Sequence, residues 1–241
     1  MNRQVTLGLL ALLGALPTVS AGCVTPGSHP ENAAGAAIKT CGPDGVIDDF
    51  EDDNNQITVV GDRGGYWYTY VDAKGSTVSP EPGDSGGVFA PVEGGNGSKY
   101  AVEVKGKLAA SSIVYAAMGL NFEDPKGPYD ASQYAGITFF AKRAPGTTSK
   151  LTVKMPDGNT DPDGGNCSAC YNDFGYTINV GEQWTRYVLP FHDLKQEPDW
   201  GAPRKPHVDA SKLFAIHFEA KTPGSEYDFF VDDIAFICKG K

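Results

Sequence analysis

Phe174-Gly175-Tyr176-Thr177-Ile178-Asn179-Val180 alternates apolar and polar side chains along its whole length. A period of two belongs to an extended strand with one face buried, because successive side chains of a strand point to opposite faces. The same period recurs in both directions from this stretch. Upstream it runs through Ile137, Phe139 and Ala141, then Leu151, Val153 and Met155. Downstream it runs through Tyr187, Leu189 and Phe191, then Phe214, Ile216 and Phe218, and ends in the run from Tyr227 to Ile237. Tyr66, Tyr68 and Tyr70 share one face of an earlier strand, which predicts that Trp67 points the other way, to the open side. Turn signals separate the strands at Pro82-Gly83, Pro145-Gly146, Asp157-Gly158 and Pro223-Gly224. Ala109 to Gly119 is read either as a helix, from its alanines, or as a strand, from its Ser-Ser-Ile-Val-Tyr centre. The pattern predicts an all-β fold of short strands, each with one face buried.

Composition agrees. The 241 residues include 30 glycines and 17 prolines, well above the usual combined share of about 12% and without a repeat period, as many turns between short strands require. The formal net charge of −10 repels a phosphate backbone and argues against a nucleic-acid partner. An excess of carboxylates does suit a hard cation where they converge.

Met1 to Gly22 reads as a signal peptide: Arg3 is followed by an apolar core from Val5 to Leu16 and a small-residue exit from Pro17 to Gly22. Val19-Ser20-Ala21 suits ordinary signal peptidase. Ser20-Ala21-Gly22-Cys23 looks like a bacterial lipobox, with lipidation at Cys23. Five cysteines favour the lipobox, since modification of Cys23 leaves an even four in an oxidising compartment. The expected location is secreted or cell envelope, as an outer-membrane lipoprotein touching the membrane only through its N-terminal lipid anchor. Residues 23–40 read as a flexible tether and 41–241 as one folded domain.

Five further stretches resemble, in order, the galactose-binding-like jelly rolls. They are Val46-Ile47-Asp48-Asp49-Phe50-Glu51-Asp52, Tyr129 to Ile137, Trp184 with Tyr187-Val188-Leu189-Pro190-Phe191, Ala215-Ile216-His217-Phe218 and Val231-Asp232-Asp233-Ile234. The series is similar to family-11 carbohydrate-binding modules and to the complex I intermediate-associated domains. The resemblance implies a β-sandwich of two antiparallel sheets of four or five strands, one of them concave. It also implies a structural Ca²⁺ ion held by Glu51 and Asp232, and a concave binding face that includes His217.

The residues themselves add to these expectations. Acidic clusters at Asp48 to Asp53 and Asp232-Asp233 repel each other if the first and last strands adjoin, unless a cation lies between them. Cys41 precedes the first strand and Cys238 follows the last, so a disulfide there ties the two ends together. Cys167-Ser168-Ala169-Cys170 reads as a small structural disulfide, a redox pair or half a zinc site. The first is preferred, since no βαβ context and no second pair of ligands are apparent.

A sugar offers apolar C–H faces ringed by hydroxyls, which aromatic platforms and polar side chains match. The candidate ligand-binding residues are His217 and Glu219, opposite the Phe214, Ile216, Phe218 stripe, together with Trp67 and Tyr115; the resemblance adds Gln196 and Trp200, in the loop after Phe191. Where the resemblance expects basic residues after Phe191, this chain has only Lys195.

Gly83-Asp84-Ser85-Gly86-Gly87 matches the string around a serine-protease nucleophile, but only His29 precedes it, so turn chemistry is the better explanation. The expected function is non-catalytic binding of a polysaccharide or oligosaccharide, with β-glucan as one candidate. The alternatives are an envelope scaffold for a protein partner, and a glycoside hydrolase in which Glu219 has a partner acid that sequence cannot name.

Overall fold

The computed structural model describes residues 40–83 and 89–240. The expected signal peptide, Cys23, most of the expected tether and Asp84 to Gly87 of the Ser85 string lie outside the described residues.

Among the described residues eleven strands form two antiparallel sheets: β1 Val46–Asp48, β2 Trp67–Val71, β3 Val92–Glu93, β4 Tyr100–Lys107, β5 Ala116–Asn121, β6 Tyr134–Arg143, β7 Lys150–Met155, β8 Phe174–Asn179, β9 Thr185–Pro190, β10 Ala215–Ala220 and β11 Glu226–Cys238. One sheet has the order β3-β4-β11-β6-β9, with β1 also paired to β11, and the other has the order β2-β5-β10-β7-β8. This is the expected jelly-roll sandwich, with six and five strands rather than four or five in each sheet. Ala109 to Gly119 divides: its first part is loop, and its last four residues open β5.

The core follows from the alternation. Ile216 and Phe218 of β10, Leu151, Val153 and Met155 of β7, Phe139 and Ala141 of β6, and Phe229 and Val231 of β11 are all buried between the sheets. Phe139 meets Phe218 edge-on across the interface, ring centroids 5.2 Å apart. The first and last strands do adjoin, through Val46↔Ala235 and Asp48↔Ile234. Beside them the Cys41–Cys238 disulfide closes the two ends of the chain across 197 residues.

One strand corrects the sequence expectation. Trp67 is fully buried in the core, not on the open face. Its ring stacks on Phe89 at 5.4 Å and lies 6.2 Å from Phe218, while its Nε1–H donates to Asp48 Oδ2 at 2.7 Å. Thr69 shares this inner side and donates its hydroxyl to the Pro80 carbonyl. The tyrosines therefore face outward. Both sides of Tyr-Trp-Tyr-Thr-Tyr carry aromatics, so apolarity cannot choose between them, and a one-residue error of parity moves every side chain to the other face.

Candidate functional site

The outward face of the five-stranded sheet carries a cleft of about 910 Å³. Strand register builds its floor in two rows. The first runs Tyr68–Gly119–His217–Lys154–Gly175 and the second Tyr70–Ala117–Glu219–Thr152–Thr177. The small residues in β5 leave room for their large neighbours. A Cβ on Gly119 would lie 2.7 Å from His217 Cδ2 and 3.1 Å from Tyr68 Cζ, inside van der Waals contact.

The polar groups of the floor form a chain. The Tyr68 hydroxyl and His217 Nε2 are hydrogen-bonded at 2.7 Å. The Tyr70 hydroxyl donates to Glu219 Oε2 at 3.1 Å, and the Tyr70 ring stands edge-on to His217, centroids 5.1 Å apart. Lys154 Nζ reaches Asp173 at 3.3 Å and Glu219 at 3.8 Å. Lys221 pairs with Glu197 and lies 3.9 Å from Glu219. Lys126 pairs with Asp161 at 2.7 Å and Asp163 at 3.0 Å.

These surroundings fix the charges. Burial, with the nearby positive charges of Lys154 and Lys126, pushes the His217 imidazole down to about 3, so it is neutral at ordinary pH. Its Nδ1 is buried without a hydrogen-bond partner. Burial also opposes the charge on Lys154, but Glu219 and Asp173 outweigh it and hold the ammonium above its usual range. The Asp173 carboxyl is raised by burial against the pull of Lys154. The hydrogen bond from Lys221 lowers Glu197.

The structure brings together His217, Glu219, Tyr115 and Trp200 of the expected binding residues, all on the cleft lining. It does not bring in Trp67, for the reason given above, nor Gln196. The Gln196 amide is committed to the backbone: Nε2 donates to the Asn172 and Pro203 carbonyls, and Oε1 accepts from the Lys205 amide. The site also contains residues that the sequence did not single out. Tyr68 and Tyr70 follow from the corrected parity of β2. Lys154, on the polar side of β7, was open to the same reasoning. Asp173, Glu197 and Lys221 gain meaning only from their ion pairs, formed between distant parts of the chain.

The expected disulfides are present as Cys41–Cys238 and Cys167–Cys170. At the acidic end, Glu51 Oε1 accepts the amides of Lys99 and Tyr100. Asp232 Oδ2 accepts from the Asn96 amide and the Ser98 hydroxyl, and Oδ1 from the Asp233 amide. Burial raises the carboxyls of Asp232 and Asp233. Glu51 adds to both, and Asp49 adds to Asp233. Among the described residues no three His, Cys, Asp or Glu side chains stand together at metal-binding spacing.

No protein-family profile matches the chain, and no curated protein does. Solved structures do. The family 11 carbohydrate-binding module of a cellulosomal cellulase of Clostridium thermocellum superposes with a TM-score of 0.57 at 18% identity, over 85% of this chain and 97% of that one. A family 11 module from the same organism, in complex with a β-1,3-1,4-mixed-linked tetrasaccharide, gives 0.54 at 20% identity, over 80% and 95%. A family 30 carbohydrate-binding module gives 0.52 at 12% identity, over 77% and 95%. At these identities the shared property is the fold, a jelly roll of the kind found in family 11 modules.

Proposed function

We propose that the protein is a non-catalytic carbohydrate-binding module whose five-stranded sheet receives a neutral oligosaccharide or polysaccharide, a β-glucan being the leading candidate. The observation that carries this reading is the floor of the cleft, where Tyr68, Tyr70 and a neutral His217 stand side by side above Gly119 and Ala117. Aromatic faces matched to sugar C–H surfaces, with hydroxyl and imidazole groups at their edges, are what saccharide recognition uses. Each lysine of the lining is paired with a carboxylate, which favours an uncharged ligand. The carboxylates are engaged in the same pairs, which supports binding over hydrolysis. The tetrasaccharide bound by one structural relative makes a natural first probe.

Calorimetry with the β-1,3-1,4-mixed-linked tetrasaccharide tests this reading. A dissociation constant of about 10 μM to 1 mM is expected for such a wet cleft. His217→Ala removes one hydrogen-bonding group and leaves the Tyr68 hydroxyl unpaired, so it should weaken binding about fivefold or more. Equal affinity of variant and wild type contradicts the placement of the site.

We also propose a calcium ion at the acidic end. Its support is the negative charge of Glu51 and Asp49 acting on Asp232 and Asp233, which a divalent cation would relieve. The fit is partial, since Glu51 and Asp232 already accept backbone amides, so the other oxygen ligands would be backbone carbonyls or water. Chelation is expected to lower the melting temperature and Glu51→Gln to abolish that sensitivity; a melt that chelator leaves unmoved contradicts the ion.

Export and lipidation at Cys23 complete the proposal. Their support is parity: four of the five cysteines are paired in the two disulfides, and Cys23 is the remaining one. The intact mass of the mature protein reads the acyl chains directly, and an unmodified Cys23 contradicts the anchor.

A further inference from the structure

Three exposed apolar side chains stand on the cleft lining: Ile113, Tyr171 and Trp200, at 83%, 65% and 44% exposure. Two of them occupy left-handed backbone, Ile113 at φ 55° and Tyr171 at φ 73°, and the residue before Trp200, Asp199, is at φ 69°. Left-handed conformations cost non-glycine residues free energy, and they persist only where the surroundings over-determine them. Side chains this exposed recover little of that cost by burial.

The surroundings of Tyr171 and Trp200 do over-determine them. Tyr171 directly follows the Cys167–Cys170 disulfide. The loop closed by that bond is paired to the loop bearing Trp200: the Ser168 and Ala169 amides donate to the Ala202 carbonyl, and the Ala202 amide donates to the Ala169 carbonyl. Buried Asn172 then clamps the second loop, its Nδ2 donating to the carbonyls of Glu197 at 2.9 Å and Trp200 at 2.6 Å while its Oδ1 accepts the Glu197 amide. Gln196 returns a bond to the Asn172 carbonyl. Gly201, at φ 79°, permits this approach, since a Cβ there would lie 2.5 Å from the Asn172 Cβ. Trp200 is oriented in turn by Glu197, whose Oε2 accepts its Nε1–H at 3.1 Å and whose Oε1 pairs with Lys221 at the cleft.

We infer that the Cys167–Cys170 disulfide, Asn172 and Gln196 are positioning residues, which hold Tyr171 and Trp200 as a preorganised apolar wall on the β7–β8 side of the cleft to receive the C–H face of a pyranose ring. The inference rests on the carbohydrate-binding reading and deepens it. It gives the small disulfide a task in recognition, and it gives Gln196, which does not line the cleft, a role behind the wall. Preorganisation strengthens binding by removing the entropy loss of ordering a loop.

The test is a double-mutant cycle read by calorimetry with the β-1,3-1,4-mixed-linked tetrasaccharide. Tyr171→Ala and Trp200→Ala should each weaken binding about fivefold, by loss of a stacking face. Cys167→Ser/Cys170→Ser should weaken it about threefold or more with the fold intact, through loss of preorganisation. In the Tyr171→Ala/Trp200→Ala background the serine pair should have no further effect on affinity, because its influence passes through those two rings. Additive losses, or a serine pair that binds like wild type, overturn the positioning role. Both rings are solvent-exposed, so their variants retain the fold, and unchanged affinity in both overturns the wall whatever the cysteine variant does. Absence of binding by the wild-type protein has a separate signature: it removes the carbohydrate reading itself, and the wall with it.

Discussion

Trp67→Ala is expected to destabilise the protein by about 3–5 kcal/mol, the range for truncating a large aromatic in a packed core. Trp67 contacts Phe50, Phe89 and Phe218, so the cavity opens at the centre of the sandwich. The change also removes the indole N–H from Asp48, which is buried and otherwise held by the Phe50 amide. Trp67→Phe separates the two effects. It retains an aromatic ring but leaves Asp48 Oδ2 without its donor, at a cost of about 1–3 kcal/mol.

That second variant carries a pH signature. Burial pushes the Asp48 carboxyl up to about 7 even though the Trp67 hydrogen bond pulls it down. A folded-state value above the unfolded one means that the native protein takes up the proton. Stability from this group is therefore present in acid and is lost as pH rises toward 7. Without the indole donor the carboxyl moves higher still, so Trp67→Phe should lose more stability relative to wild type at pH 8 than at pH 5. Urea unfolding at the two pH values measures this difference, and His217, titrating alike in both proteins, cancels from it. An open-face Trp67 would instead give a loss below about 0.5 kcal/mol with no pH dependence, as surface changes do.

Cys41→Ser/Cys238→Ser is the second large effect, a loss of about 2–5 kcal/mol. The bond closes a loop of 197 residues, and the unfolded chain gains most entropy when a long loop is opened. The native fold should survive, because β11 stays paired to β4 and β6 along most of its length. Opening the Cys167–Cys170 loop, with a separation of 3, should cost clearly less in stability. Comparable destabilisation by the two serine pairs would contradict this division, in which one disulfide secures the fold and the other the site.

Much of this architecture is legible in the residues. β7 and β9 bury alternate residues, β8 follows the same period with Tyr176 half-buried, and at β10 the alternation turns Ile216 and Phe218 inward and puts His217 and Glu219 on the cleft side, although Glu219 is itself buried there. The terminal disulfide follows from the placement of Cys41 and Cys238 beside the first and last strands, and the pairing of those strands from the jelly-roll resemblance. β2 is not legible in the same way, because aromatic residues occupy both of its faces. Its orientation is settled by the Trp67–Asp48 hydrogen bond and by the space above Gly119, contacts made with other strands. Ala117 and Gly119 likewise look like weak strand residues until Tyr68 and His217 are seen to need the room. Gln196 shows the opposite limit: an amide in a loop beside a binding cleft suggests a ligand contact, but the backbone carbonyls around it had first claim on its hydrogen bonds. The ion pairs of Lys154 and Lys221 join residues up to 65 apart at Asp173, Glu197 and Glu219, a convergence that only the register of the strands creates.

Titration of the isotope-labelled protein with the β-1,3-1,4-mixed-linked tetrasaccharide, followed residue by residue by NMR, tests the central claim most directly. Shifts should concentrate on Tyr68, Tyr70, Lys154 and His217 at the floor and on Tyr171 and Trp200 at the wall. Shifts confined to the six-stranded sheet, or none at millimolar sugar, would contradict it.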